Sequence, residues 1–526
     1  MIEQFPFYLG MVVLIILMIM LANKIRVAYP ILLVLAGLLI CIIPGVPLIK
    51  MDPELIFIIF LPPLLYEAAW SISWKELWHW RRIISSFAFP VVFLTAFSVA
   101  LVANYFIPGF SLALGFLLGG IVSPPDAVSA GAILKFVKIP KRMAAILEGE
   151  SLLNDASSLI IFRFALIAVA TGQFVWYEAA GSFLWMVLAG TGIGLLIAYL
   201  FMKAHKLLPT DVNMDIILTL VGPYAMYIVA EEVHASGVLA VVSGGLCFSY
   251  YRHRFLSASS RLRAENVWQS LVFLLNGLVF LLIGLDLPEI MTGLRNEGIS
   301  FYEASRYALI VTAVLIVGRM IVAYLAVIFT RMASHFIVVA DKSPSWKAPL
   351  VMGWTGMRGV VSLAAALSIP VHLNDGTEFP ERNLILFITF AVILLTLVVQ
   401  GLTLPVLIRK VKLPGFKEHR PGRQNTEEFI RAEMAKHALN HLQTNYSDQL
   451  VQNIHLRQVA DRTKNDIDTA GITPFSEETR SICLELLEIQ RQVLLRENRK
   501  DPHLDENIVR KYLHFIDVEE EKLRLM

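Results

Sequence analysis

Charge is what this chain has least of. Only 17% of its 526 residues are charged and 56% are apolar, whereas a soluble domain carries about 25% charged residues. Cysteine is nearly absent. Cys41 and Cys247 lie in apolar stretches and Cys483 lies near the C-terminus, so no disulfide framework is expected. No basic residue precedes the first apolar run and no small-residue cleavage site follows it. That run therefore reads as a retained helix and not as a cleaved leader. No His-Glu-x-x-His stands in an apolar stretch, which removes the zinc-peptidase pattern. Gly149-Glu150-Ser151 is not followed by x-Gly, and no histidine is expected deep in a span to activate a serine, which removes the nucleophile elbow. The net charge of +2 says nothing about partners.

What the chain does have is apolar runs of membrane-crossing length, about 20 residues each. Thirteen are expected, at 5–22, 27–43, 53–70, 85–107, 111–133, 144–170, 180–202, 215–233, 235–250, 267–285, 304–330, 350–370 and 383–408. The connecting segments test the count independently. Segments after odd-numbered runs hold 18 Lys and Arg; those after even-numbered runs hold only Lys50, Arg295 and Arg382. A miscounted run would scramble that alternation. The positive-inside rule then places the N-terminus outside and the C-terminus in the cytoplasm.

Two segments do not span. Ser71 to Ile84 is too polar, and Trp70, Trp74, Trp78 and Trp80 cluster beside Arg81 and Arg82, so an amphipathic helix at the cytoplasmic interface is expected there. The composition becomes that of a soluble chain after Pro414, dividing the protein into a membrane domain, 1–412, and a tail, 413–526. Ile482, Leu486, Ile489 and Val493 repeat at helical spacing, so the tail reads as largely helical. No nucleotide loop or metal cluster appears in it. Six of the twelve histidines do: His419, His437, His441, His455, His503 and His514. Solvated histidines on a helical packing domain are favoured over a pH-responsive tail.

The few charges inside apolar runs carry the chemistry. A carboxylate at mid-bilayer costs roughly 3 kcal/mol on insertion scales, so it persists only if paired, protonated or in contact with an ion. Gly149-Glu150-Ser151-Leu152-Leu153-Asn154-Asp155 puts two in one run. On a helix Ser151 and Asp155 share a face, and Glu150 and Asn154 share the adjacent stripe. The first face offers oxygens to a hard cation such as Na⁺; the second lets Glu150 pair with a cation elsewhere in the bundle. Arg319, in the middle of the eleventh run, is the expected partner, as a structural tie between helices. The fifth run contains Ser123-Pro124-Pro125-Asp126, where two prolines break the helix and free carbonyls that must line a cavity or bind something. The twelfth contains Gly353-Trp354-Thr355-Gly356-Met357-Arg358-Gly359, a second interruption. Paired breaks in the two halves point to an inverted-repeat transporter with its site at the crossing. For Glu67, a place near the ion entrance and a helix-cap role stay open. Arg163 reads as snorkelling, Glu231 and Glu232 as solvated, and Asn276 as an interhelical hydrogen-bond donor.

These motifs in combination resemble the monovalent cation:proton antiporters of the NhaP/NHE type, in the bacterial branch with a helical cytoplasmic tail. Gly149 to Asp155, Ser123-Pro124-Pro125-Asp126-Ala127-Val128 and Gly356-Met357-Arg358-Gly359 carry the resemblance, which covers essentially the whole chain. It implies an all-α polytopic fold with about 13 transmembrane helices, two of them discontinuous and crossed. The mobile core would be residues 85–170 and 304–408, and the dimer scaffold 5–70 and 180–285. It implies that Asp155 binds Na⁺ or H⁺ alternately, that Asn154 marks the electroneutral class, and that Ser151, Asp126 and Glu67 help bind the ion. It favours the Glu150–Arg319 pair and leaves Arg358 near the crossing. One residue departs from the pattern. Pro125 stands where the family usually has Thr, so a hydroxyl is missing and the Pro125 carbonyl is the group left to serve.

The partners so implied are the transported Na⁺ (or Li⁺ or K⁺) and H⁺, membrane lipid and a second copy of the chain. Neither a nucleic acid nor a cofactor is implied, and no enzymatic activity. Four other readings fit less well. A sodium-coupled symporter needs a larger pocket for an organic solute than this aliphatic lining offers, and a channel suits a buried acid beside an ion pair less well than alternating occupancy does. An intramembrane enzyme lacks its motifs, and a purely structural or sensory role leaves the buried charges unexplained.

Overall fold

The computed structural model describes residues 5–41, 43, 53–137, 139–172, 176–333, 346–373, 376–411, 426–468, 477–500 and 506–525. Among them every regular element is a helix. Lys50, Lys138 and Lys342 lie outside the described residues. The chain divides into two compact units, Met1–Gly415 and Phe416–Met526.

Nine helices of the described residues are long and apolar enough to cross a membrane. The other four expected runs take different forms. Tyr29–Ile40 and Phe57–Ser71 are apolar but short. Gly237–Phe255 ends in Arg252, His253 and Arg254. The run at 350–370 is two helices, Ala348–Trp354 and Val360–Leu367. Outward faces are as apolar as inward ones. Trp176–Leu207 exposes Leu184, Leu188, Leu195 and Leu196, and Phe301–Ala333 exposes Val317, Ile321 and Leu325. Continuous apolar surface on this scale is a lipid-facing feature.

Where apolar burial cannot drive helices together, small residues let them touch. Leu112–Val122 packs on Val92–Phe106 this way. A Cβ on Gly115 would fall 2.6 Å from the Ala100 carbonyl oxygen, and one on Gly119 2.4 Å from that of Ala96. This close approach fixes one half of the first broken helix.

The expected interface helix forms at Trp74–Ser86, capped by Ser73, but it is not separate. It runs through a π turn, Phe87–Val91, straight into Val92–Phe106. Pro90 lies in that turn and has no N–H to donate. The looser turn presents the Ala88 carbonyl to the Ser157 hydroxyl at 2.5 Å. A second π turn, Thr396–Gln400, follows Arg382–Leu395. Such turns recur at functional sites, and both bear on the site below.

In the tail unit, Glu477–Lys500 and Glu506–Leu525 are tied by Arg491, which reaches Glu488 at 2.5 Å, Asp517 at 3.0 Å and Glu520 at 2.5 Å. The stripe of Ile482, Leu486, Ile489 and Val493 is helical as expected, and exposed. His437, His441 and His455 are exposed, with His437 3.4 Å from Glu433. His419, His503 and the side chain of His514 lie outside the described residues.

Candidate functional site

The first broken helix consists of Leu112–Val122 and Ala127–Leu134, the second of Ala348–Trp354 and Val360–Leu367. Their breaks meet: the Asp126 N–H donates to the Met357 carbonyl at 2.7 Å. Asp126 then caps the second half of its own helix. Its Oδ1 accepts the Val128 N–H at 2.9 Å and its Oδ2 the Ser129 hydroxyl at 2.5 Å. A carboxylate at a helix N-terminus is favoured twice, by the orphan amides and by the dipole. Arg358 in the second break is 1% exposed. Its backbone N–H donates to Thr396 Oγ1 at 3.2 Å, at the second π turn, while its Nε and Nη1 have no hydrogen-bond partner.

Glycines make the crossing possible. A Cβ on Gly356 would sit 2.4 Å from Arg319 Cδ, and one on Gly359 1.9 Å from Asp126 Oδ2. Gly359→Ala should therefore force the two breaks apart. A lowered midpoint in thermal unfolding is expected; an unchanged midpoint would show that the crossing tolerates separation.

The long helix Lys141–Thr171 packs beside the first break. Ser151 Oγ accepts the Ala127 N–H at 3.1 Å and donates to the Pro125 carbonyl at 3.4 Å. Asn154 Nδ2 donates to the same carbonyl at 3.4 Å, and its Oδ1 is buried without a partner. The carbonyl freed by the double proline is thus held by two side chains of the neighbouring helix. Asp155 is 8% exposed. Among the described residues no hydrogen bond reaches its carboxylate, and Asp126 is close enough for the two charges to interact. Arg319 Nη1 lies 2.8 Å from Glu150 Oε1, with both side chains almost fully buried. The contact is an ion pair without aligned hydrogen bonds, since both Glu150 oxygens lack a donor by geometry. Glu67 has no hydrogen bond or ion pair to this crossing among the described residues.

Two cavities flank the site along the same helix. One of about 600 Å³ is lined by Ala127, Gly131, Lys135, Leu147 and Glu148. The other, of about 390 Å³, is lined by Leu159, Phe162, Arg163, Tyr227 and Glu231.

Three expectations are corrected. Arg163 does not snorkel; its Nη2 forms an ion pair with Glu231 Oε2. Glu231 is accordingly not merely solvated, and its other oxygen accepts the Gly237 N–H at 3.0 Å. One histidine, His205, is buried at 6% exposure, in the last turn of Trp176–Leu207 and not deep in the span. Its Nδ1 is 2.8 Å from Asp215 Oδ1, while Asp215 Oδ2 accepts the Ser260 hydroxyl at 2.7 Å. The carboxylate sits between histidine and serine, so the cluster is no nucleophile–base pair. Asn276 is buried with Oδ1 unpartnered and makes no interhelical hydrogen bond among the described residues.

Sequence reading also missed Ser157, which joins the long helix to the first π turn. Pro90 in mid-span was the available signal. Ser157→Ala should leave the Ala88 carbonyl unsatisfied and cost about 1–3 kcal/mol, read as a lowered midpoint in thermal unfolding; an unchanged midpoint would mean that another donor takes its place.

A helical bundle with two helices broken mid-length, crossing beside a buried carboxylate and a buried ion pair, is the architecture of a secondary ion transporter. Residues 11–410 match the transmembrane sodium/hydrogen exchanger family, and the chain belongs to it. It is 35% identical over 381 residues to a sodium, potassium, lithium and rubidium/H(+) antiporter of Bacillus pumilus, covering 71% of this chain and 56% of that protein. This chain thus spans little more than half of that relative. It is 32% identical to the Na(+)/H(+) antiporter ApNhaP of Aphanothece halophytica, over 79% of this chain and 75% of that one. The fold is similar to that of MjNhaP1, a sodium proton antiporter of Methanocaldococcus jannaschii, with a TM-score of 0.60, 19% identity, and coverage of 78% of this chain and 99% of that one.

Proposed function

We propose that this protein exchanges Na⁺, or Li⁺ or K⁺, for H⁺ across the cell membrane by alternating access, one cation for one proton. One observation carries the reading: the Asp155 carboxylate is almost buried, and among the described residues no hydrogen bond reaches it. Such a group is stabilised by a proton or by a cation, and it cannot hold both. Ser151 and Asn154 stand on the same helix within one turn of Asp155 and both reach the Pro125 carbonyl, so these oxygens and Asp126 are the candidate ligands for a hard cation, with Glu67, which has no contact to the crossing in this conformation, as the candidate at the ion entrance. The family membership and the names of the relatives support antiport. A symporter would need polar groups for an organic solute, and the wall of the cavity beside Glu148 is mainly aliphatic.

The remaining residues take supporting roles. Glu150 and Arg319 form a structural ion pair that adds no net charge. Arg358 faces the crossing as a fixed cation. Residues 85–170 and 304–408 form the moving core, and 5–70 and 180–285 the scaffold of a homodimer. The N-terminus lies outside and the tail in the cytoplasm, on the 18-to-3 distribution of basic residues. The cavity beside Glu148 is then the inner one and that beside Arg163 the outer. The exchange serves pH and sodium homeostasis.

The test is proton flux in proteoliposomes with a pH-sensitive dye, on pulses of Na⁺, Li⁺ or K⁺. Cation-triggered proton movement that is indifferent to a voltage clamp is expected. Current at zero pH gradient would contradict one-for-one exchange. Asn154→Asp adds a carboxylate that can remain protonated, and it is expected to leave exchange free of net current; current in that variant would assign the stoichiometry to position 154 alone.

A further inference from the structure

The helix Lys141–Thr171 carries Glu150, Ser151, Asn154, Asp155 and also Arg163. Arg163 lies eight residues beyond Asp155, roughly 12 Å along the axis. Its partner Glu231 belongs to Val212–Glu232, a helix that contributes nothing to the site. Glu231 is held in place from its own side. The Gly237 N–H binds Oε1 at 3.0 Å, and Gly237 has to be small, because a Cβ there would lie 2.7 Å from the Tyr227 ring and 2.8 Å from Glu231 Oε1. The free oxygen is thereby presented to Arg163, and both residues stand in the wall of the 390 Å³ cavity. Their side chains are 35% and 29% exposed. An ion pair this wet is weak and separates at little cost, unlike the nearly dry Glu150–Arg319 pair at 1% and 3%. One ion pair is thus suited to stay closed throughout a cycle, and the other to open and close within it.

We propose that Arg163 and Glu231 form the outer latch of the exchanger. It ties the helix bearing Asp155 to Val212–Glu232 in the conformation described here, and it must part for the site to reach the outer side. This rests on the alternating-access reading above. When the pair parts, Glu231 is released as a carboxylate facing incoming cations, and Arg163 leaves with the moving helix.

Two measurements test the latch, both on the full-length protein with Cys41, Cys247 and Cys483 replaced by serine. In the first, an Arg163→Cys, Glu231→Cys double variant is bridged by a short bis-maleimide in proteoliposomes. Na⁺-driven proton flux is expected to fall about tenfold or more on bridging, while each single cysteine variant treated alike keeps its flux. Bridged protein that exchanges at its unbridged rate overturns the proposal. In the second, Ser368→Cys, in the wall of the same cavity, reports its opening to a membrane-impermeant maleimide. Adding Arg163→Gln is expected to raise the labelling rate about threefold or more. Unchanged labelling overturns the proposal, and it does so without any need for transport. Labelling that rises in protein without cation-driven flux would instead retain the latch and sink the antiport reading.

Discussion

Asp155→Asn is expected to abolish exchange and leave the protein folded. The amide has nearly the shape of the carboxylate, so packing against its neighbours is kept. It cannot take up a proton near neutral pH, and it offers a cation a dipole where the carboxylate offers a charge. Proton flux on a Na⁺ pulse should match that of empty liposomes. Folding should not suffer, because the substitution removes a buried charge that has no hydrogen-bond donor. A second readout separates lost binding from lost movement. Cation bound only to the folded state stabilises it by mass action, about 2.7 kcal/mol at a hundred times its Kd. Na⁺ should therefore raise the unfolding midpoint of the unmodified protein and leave that of Asp155→Asn unmoved. Transport by this variant at the unmodified rate would remove Asp155 from the mechanism.

Breaking the Glu150–Arg319 pair is expected to be the most damaging change to stability. Both side chains are nearly inaccessible, 1% and 3% exposed, at a separation of 2.8 Å. Removing one partner leaves an uncompensated charge in a site that water does not reach, which costs about 3–5 kcal/mol. Glu150→Gln and Arg319→Met should each yield little monodisperse protein in detergent. The combined variant removes both charges of the pair, leaving neither partner orphaned, and should recover most of the loss. Replacing a buried ion pair by groups of similar volume is often neutral. If the combined variant were as unstable as either single one, the pair would owe its importance to packing at Gly356, which accommodates the Arg319 stem, and not to charge.

Much of this arrangement was legible because apolar surroundings make polar residues conspicuous. Arg319 stands alone among aliphatic neighbours, and Glu150 occupies a stripe that Asp155 does not share, so each needs an opposite charge from the other helix and their pairing is legible in the sequence. Pro124 and Pro125 cannot continue a helix, and the breaks fell at them and at the glycines near Arg358. The residues read less well lie where a helix end and an interface coincide. Arg163 and Glu231 each had a local explanation, snorkelling and solvation, and only tertiary packing brings them together. The expected run 180–202 stops before His205, yet the helix continues to Leu207. Pro90 was read as part of an ordinary span; its consequence, a π turn offering a carbonyl to Ser157, depends on which helix lies alongside. Glu67 resembled an ion ligand in sequence, and in this conformation it is Glu148 that shares its surroundings.

In the proposed exchange a single carboxylate, Asp155, holds either a proton or a cation. The most direct test is the apparent KM for Na⁺ as a function of pH, from dye-monitored proton flux in proteoliposomes. If each Na⁺ displaces one proton from Asp155, KM should rise about tenfold per pH unit on the acidic side while the maximal rate stays constant. A KM independent of pH, with the maximal rate falling in its place, would show that proton and cation occupy separate groups and would contradict the account.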